Sequence, residues 1–150
     1  MIRTVVAVLL TVAIIGVSMP AVERGAMTNS QNTVEQQVSK LSKASESLVQ
    51  NEQVPPEGVR GPQRSVTLTF PADSLFSVPL SKFRIERQPG NLTVLRYRLE
   101  GGAGQQATID APIVNSEFEN TTSLGGTGER EYRLGLQRHN ETSVVVLSRA

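Results

Sequence analysis

The stretch KFRIERQPGNLTVLRYRL, from Lys82 to Leu99, decides how the folded part of this chain is read. Apolar and charged residues alternate on both sides of Pro89-Gly90-Asn91, the pattern of two half-buried strands joined by a turn. Register follows from requiring one apolar face, because a slip of one residue turns a whole strand over. A three-residue loop of Pro89 to Asn91 meets that requirement and a two-residue loop does not. Ile85 then opposes Leu95 and Phe83 opposes Tyr97, cross-strand pairs worth roughly 0.2–1 kcal/mol each, with Asn91 expected in the left-handed conformation. The same register sends Lys82, Arg84, Arg96 and Arg98 to the opposite face, with Arg84 directly across from Arg96. Like charges facing one another across a ladder are unfavourable. Two readings follow: solvated arginines flanked by Glu86 and Glu100, or a surface for an anionic partner.

The alternation extends to both sides of this hairpin. It begins at Val66-Thr67-Leu68-Thr69-Phe70 and continues with strands expected at Ala107 to Val114, Glu131 to Gln137 and Ser143 to Ser148, making six with the hairpin's Lys82 to Gln88 and Thr93 to Leu99. Glycine clusters at Gly101-Gly102 and Gly125-Gly126, and the pair His139-Asn140, supply the turns. In the last hairpin a loop of Arg138 to Glu141 aligns Tyr132 with Leu147 and Leu134 with Val145. Val144 and Val146 remain apolar on the other face, so that strand is expected to be covered on both sides. Residues 65–150 thus read as a small antiparallel all-β domain, a sandwich or a meander.

Toward the N-terminus the period changes. Residues 53–64 hold Pro55, Pro56 and Pro62 with Gly58 and Gly61, which remove donors and favour turns, and read as a linker. Residues 23–52 read as an amphipathic helix whose apolar stripe is Met27, Val34, Val38, Leu41 and Leu48. That stripe either docks on the chain's own β domain or forms an assembly seam with another subunit. A domain of 86 residues buries only a modest fraction of its surface, which is a reason for the helix to dock.

Residues 1–22 read as a transmembrane signal anchor continuous with that helix, which makes the whole an α+β chain. Thr4 to Val22 is free of charge and contains ten Val, Leu or Ile residues. Nineteen residues span about 28 Å at roughly 1.5 Å per residue, close to a hydrocarbon core of about 30 Å. The ten branched residues favour insertion by about 3–6 kcal/mol. A cleaved secretory signal is the rival reading, with Gly16-Val17-Ser18 as its site, although no A-x-A sequence lies nearby. Arg3 precedes the run and the balanced pair Glu23-Arg24 follows it, so charge bias puts the N-terminus in the cytoplasm and the C-terminal domain outside. Three N-x-[ST] sequons, at Asn91, Asn120 and Asn140, suit the same side as N-glycosylation candidates.

Composition narrows the function. The chain has no cysteine and one histidine, which removes disulfide frameworks, thiol nucleophiles and most metal-site patterns, and no cofactor is expected. The net charge of +1 is Arg3, since residues 23–64 and 65–150 each balance. No segment has the basic excess of a nucleic-acid binder. Neither glycine cluster is followed by Lys-Ser or Lys-Thr, His139 has no triad partner at a recognisable spacing, and Asp73 and Asp110 are isolated. No catalytic residue is assigned, and a non-enzymatic protein is expected.

An apolar N-terminal helix, extended as an amphipathic stalk and carrying a small β domain, resembles the type IV pilin and pseudopilin architecture. Met1-Ile2-Arg3, the apolar run, Pro20-Ala21-Val22-Glu23 and the β tail are also similar to an uncharacterised family of haloarchaeal membrane-anchored proteins, over nearly the whole length. The pilin resemblance implies a minor structural component of a pilus or secretion system, with membrane lipid, pilus or secretion subunits, or further copies of itself as partners. Pilins carry a basic leader before the apolar run and a glutamate early within it, whereas here only Met1 to Arg3 precede the run and Glu23 follows it. A surface-tethered β module binding a ligand or glycan is the alternative.

Overall fold

The computed structural model describes residues Met1 to Ala150, and its first element is a single helix, α1, from Ile2 to Asn51. At roughly 1.5 Å per residue it is about 75 Å long. It runs unbroken through Pro20, and within the apolar run the hydroxyls of Thr11 and Ser18 donate to the carbonyls of Ala7 and Ile14, at 2.8 and 2.7 Å. Those bonds hide two polar groups inside the helix, which suits apolar surroundings.

Eight strands follow: β1 (Gln63–Phe70), β2 (Leu80–Arg87), β3 (Thr93–Leu99), β4 (Gly104–Ile109), β5 (Ile113–Asn115), β6 (Thr121–Leu124), β7 (Gly128–His139) and β8 (Thr142–Arg149). They form two four-stranded sheets, ordered β1-β7-β8-β5 and β4-β3-β2-β6, antiparallel except for the β5–β8 pair. The inner faces share one core with the C-terminal half of α1. Val34, Val38, Leu41 and Leu48 from the helix meet Leu68, Phe70 and Leu134 from one sheet and Phe83, Ile85 and Leu95 from the other. Through this core Phe70 meets Phe83 edge-on, with centroids 5.3 Å apart, and Phe83 stacks on Tyr97 at 6.4 Å. Helix α1 lies chiefly along β1 and reaches β3 and β4 of the second sheet, so it covers two sheet edges. An uncovered edge offers unpaired backbone groups. Gln37, only 3% exposed, answers one of them: its Oε1 accepts the N–H of Thr69 on edge strand β1 at 3.1 Å.

The β2–β3 hairpin has the expected register, with Ile85 opposite Leu95, Phe83 opposite Tyr97 and Arg84 opposite Arg96. Elsewhere the sequence reading is corrected. Eight strands replace six. The stretch 107–114 is two strands, because the bend at Asp110-Ala111-Pro112 carries the chain from one sheet to the other and Pro112 has no donor to continue a ladder. Strand β6, Thr-Thr-Ser-Leu, is polar and sits on a sheet edge, so it has no apolar alternation to announce it. Gly90, not Asn91, takes the positive φ of 84° in the hairpin turn. In the last hairpin Leu134 faces Leu147 and Leu136 faces Val145, two residues from the expected pairing. Its loop is only Asn140-Glu141, both left-handed at φ 48° and 63°, as a type I′ turn requires. The parity of the strand is unchanged, so the same residues face inward. Val144 and Val146 are buried on the other face with Val114, under Phe118.

The chain's path defines two ends of the β domain. Arg64 pairs with Glu52 near the end of α1, Thr69 bonds Gln37 further down, and the loop after β1 reaches Asn29 and Ser30. Strand β1 therefore descends along the helix toward the point where α1 leaves the domain, the basal end. Met27 touches the Gly102 turn there. The β2–β3 and β7–β8 turns lie at the opposite, apical end.

Candidate functional site

Three features are candidates for function: the bare half of α1, a basic face on the second sheet, and the apical turns that carry the sequons.

Every residue from Met1 to Gly25 is exposed, including Val5, Leu9, Leu10, Val12, Ile14 and Ile15 at 57–63%. By length and composition this helix is able to cross a membrane, and its most apolar window is wholly uncovered by the rest of the chain. From Ala26 onward the situation reverses. Val34, Val38, Leu41 and Leu48 are buried and Met27 is half-buried, all against the chain's own sheets. The stripe read as an assembly seam is thus occupied within the chain. Ala26, Ser30 and Ser45 are buried on the same side, small residues that bring helix and sheet close.

The basic face is built by the β2–β3 register. Lys82 opposes Arg98 and Arg84 opposes Arg96, while Gln106 and Gly104 of β4 continue the two rows. These side chains line an open groove of about 450 Å³. Glu86 is the one carboxylate in it, receiving Arg96 at 2.6 Å and Arg84 at 3.5 Å. Exposed pairs of this kind contribute about 0–1 kcal/mol. Lys82 and Arg98 have no carboxylate within ion-pair distance, and the buried Arg84 Nε has no hydrogen-bond partner. Gly104 leaves room beside the Arg98 guanidinium, 3.7 Å from where a Cβ would stand. The four cations therefore come together as the sequence implies, with three positive charges in excess of Glu86 on one surface. At the groove's inner wall Tyr97 is 4% exposed, and burial, with a smaller contribution from Glu35, raises its phenol pKa above the ordinary value.

Asn91, Asn120 and Asn140 are all exposed and all lie at the apical end. The Asn120 carbonyl accepts the N–H of Arg87 at the end of β2, and the Asn140 N–H reaches Glu57 at 3.3 Å. The first sequon differs in one respect. Its hydroxyl residue, Thr93, is fully buried, donating to the Ala111 carbonyl at 2.6 Å and accepting the Ile113 N–H at 2.9 Å. That hydroxyl holds the crossover between β4 and β5.

The family described as a domain of unknown function, DUF7311, matches residues 1–150. The chain belongs to the DUF7311 family. No curated protein and no solved structure matches it. In this DUF7311 chain the residues that sequence reading passed over are Gln37, Ser30 and Thr93, polar groups that the fold buries and bonds. Gln37 stands three residues after Val34 and four before Leu41, so its place on the stripe is the signal that would have found it. The turn bearing Leu75 and Phe76 also went unread.

Proposed function

We propose that this DUF7311 protein is a non-enzymatic, single-pass membrane protein with a cytoplasmic N-terminus and an extracytoplasmic β domain. It assembles through its helix, in the manner of a minor pilin or secretion-system component. The observation that carries this reading is the division of α1: bare and apolar from Thr4 to Val22, docked on the β domain from Ala26 to Leu48. With the docked stripe occupied, assembly falls to the bare half, where helix–helix contact in lipid is driven by packing and interhelical hydrogen bonds. Arg3 on one side of the run and exposed sequons at the far end of the domain support the orientation. The chain has no cysteine, so single cysteines report topology cleanly. In intact cells, Glu141→Cys is expected to react with a membrane-impermeant maleimide and Arg3→Cys is not. Protein extracted in mild detergent is expected to carry other subunits or copies of itself. A monomer without partners would refute the assembly role.

A second reading is supported by the basic groove: a tethered β module that binds an anionic ligand, such as an acidic glycan, through Lys82, Arg84, Arg96 and Arg98. The full-length K82E/R98E variant is expected to lose retention on a uronate or sulfated polysaccharide. Equal retention of variant and parent would remove this reading.

A further inference from the structure

Between β1 and β2 the chain makes a turn at Ser74-Leu75-Phe76-Ser77 whose apex is apolar. Leu75 is 78% exposed and Phe76 71%, the largest exposures of any bulky apolar residue C-terminal to α1. Turn apices ordinarily hold Gly, Asn, Asp or Ser. Nor is the apex a loose segment. Ser74 and Ser77 exchange backbone hydrogen bonds at 3.0 and 3.4 Å, the Phe76 N–H donates to Ser74 Oγ, and the Ser77 hydroxyl donates to the Ala72 carbonyl. Two residues of α1 hold the turn from the side: Asn29 Nδ2 donates to the Phe76 carbonyl at 2.8 Å, and Ser30 Oγ accepts the Val78 N–H at 2.6 Å. The structure therefore fixes two exposed apolar side chains at one height along the helix.

That height is the basal end. Asn29 lies seven positions beyond Val22, the end of the apolar run, about 10 Å along the axis at roughly 1.5 Å per residue. The polar layer outside a hydrocarbon core of about 30 Å is roughly 5–8 Å deep on each side. A phenyl ring attached at the Asn29 level has only a few ångströms to cover to enter that polar layer, and a typical helix tilt of about 20° shortens the distance on one side. Resting on the reading of α1 as a membrane anchor, we infer that the Leu75-Phe76 turn is a second membrane contact, seated in the headgroup layer of the bilayer that α1 crosses. Asp73, two residues from Leu75, suits the polar layer and not the hydrocarbon, which keeps the turn in that layer. With α1 as one attachment and the turn as another, the β domain is held in one orientation over the membrane.

The chain has no tryptophan, so one introduced residue reports alone. Full-length F76W and I14W are reconstituted in phosphatidylcholine–phosphatidylglycerol vesicles containing lipids brominated either near the headgroup end of the acyl chain or near its methyl end. Phe76 is exposed, so the substitution leaves the core untouched, and circular dichroism verifies the fold. Expected is blue-shifted F76W emission quenched more by the shallow bromines, with the opposite order for I14W near the middle of the span. Quenching of I14W without quenching of F76W overturns the turn contact and leaves the anchor standing. Blue-shifted F76W emission that bromine does not reach, with I14W quenched, also overturns it and assigns the turn to a neighbouring subunit. Absence of quenching in both variants overturns the anchor and the inference together.

Discussion

Replacing Thr93 by valine removes one hydroxyl and changes little else in shape, so it isolates what that hydroxyl does. In the folded chain it joins two backbone groups around the bend between β4 and β5: the Ala111 carbonyl at 2.6 Å and the Ile113 N–H at 2.9 Å. Thr93, Ala111 and Ile113 are at most 1% exposed, so water cannot replace the lost partner. A net hydrogen bond is worth about 0.5–1.5 kcal/mol, and a buried backbone group left unpaired costs about 1–3 kcal/mol. With a donor and an acceptor both stranded, T93V is expected to destabilise the protein by about 2–4 kcal/mol. At about 2–4 °C per kcal/mol for a chain of this size, the thermal midpoint falls by roughly 10 °C. T93S keeps the hydroxyl and loses a methyl group, for a cost of about 1 kcal/mol. The assay is far-ultraviolet circular dichroism of full-length protein in mild detergent. A T93V midpoint within 2 °C of the parent, at about 2–4 °C per kcal/mol, would refute the reasoning. So would a T93S loss equal to that of T93V, since the methyl and not the hydroxyl would then carry the effect.

Leu41→Ala removes a fully buried helix side chain from the shared core and is expected to cost about 2–5 kcal/mol by denaturant titration, with faster proteolysis between α1 and β1. In a Tyr132→Phe background, which leaves Tyr97 as the sole phenol, phenolate absorbance is expected to titrate above the ordinary tyrosine range, and Glu35→Gln to lower the midpoint slightly. The folded pKa of Tyr97 lies above the unfolded value, so its neutral form favours the fold. Stability is held below pH 10 and lost as pH rises from there through the folded pKa, which alkaline melting curves check.

The parts legible in the sequence are those where one physical demand dominates. Alternation from Lys82 to Leu99 fixes register and face together, and with them the cationic cluster, because inward Phe83, Ile85, Leu95 and Tyr97 leave the arginines nowhere else to go. The bare half of α1 is equally plain from its hydropathy. The remainder depends on partners distant in sequence. Thr121 to Leu124 is strand only because β2 offers an edge to pair with, and Asn140-Glu141 closes a two-residue turn without the glycine that marks such turns. Gly104 also lines the groove, beside the Arg98 guanidinium, and no pattern within β2 or β3 points to that residue. Thr93 completes the Asn91 sequon, and the long-range contacts of its hydroxyl, which no local pattern announces, also give it a structural role.

One helix serving two surroundings also determines how this protein can be divided. Val34, Val38, Leu41 and Leu48 give up roughly 1.5–3 kcal/mol each if the helix is removed, about 6–12 kcal/mol together as an upper bound. Domains of this kind are stable by only about 5–15 kcal/mol in all. The β1 edge would also lose Gln37, leaving the Thr69 N–H and its neighbours open to pairing with other chains. A fragment of residues 65–150 is therefore expected to lack a cooperative unfolding transition and to aggregate, whereas residues 26–150, which keep the docked half and shed the bare one, unfold cooperatively near the midpoint of the full chain. Matching melting curves for the two fragments would mean that the helix merely rests on the sheets. If they differ as expected, any soluble test of the basic groove must begin at Ala26, since the core behind the groove includes the helix.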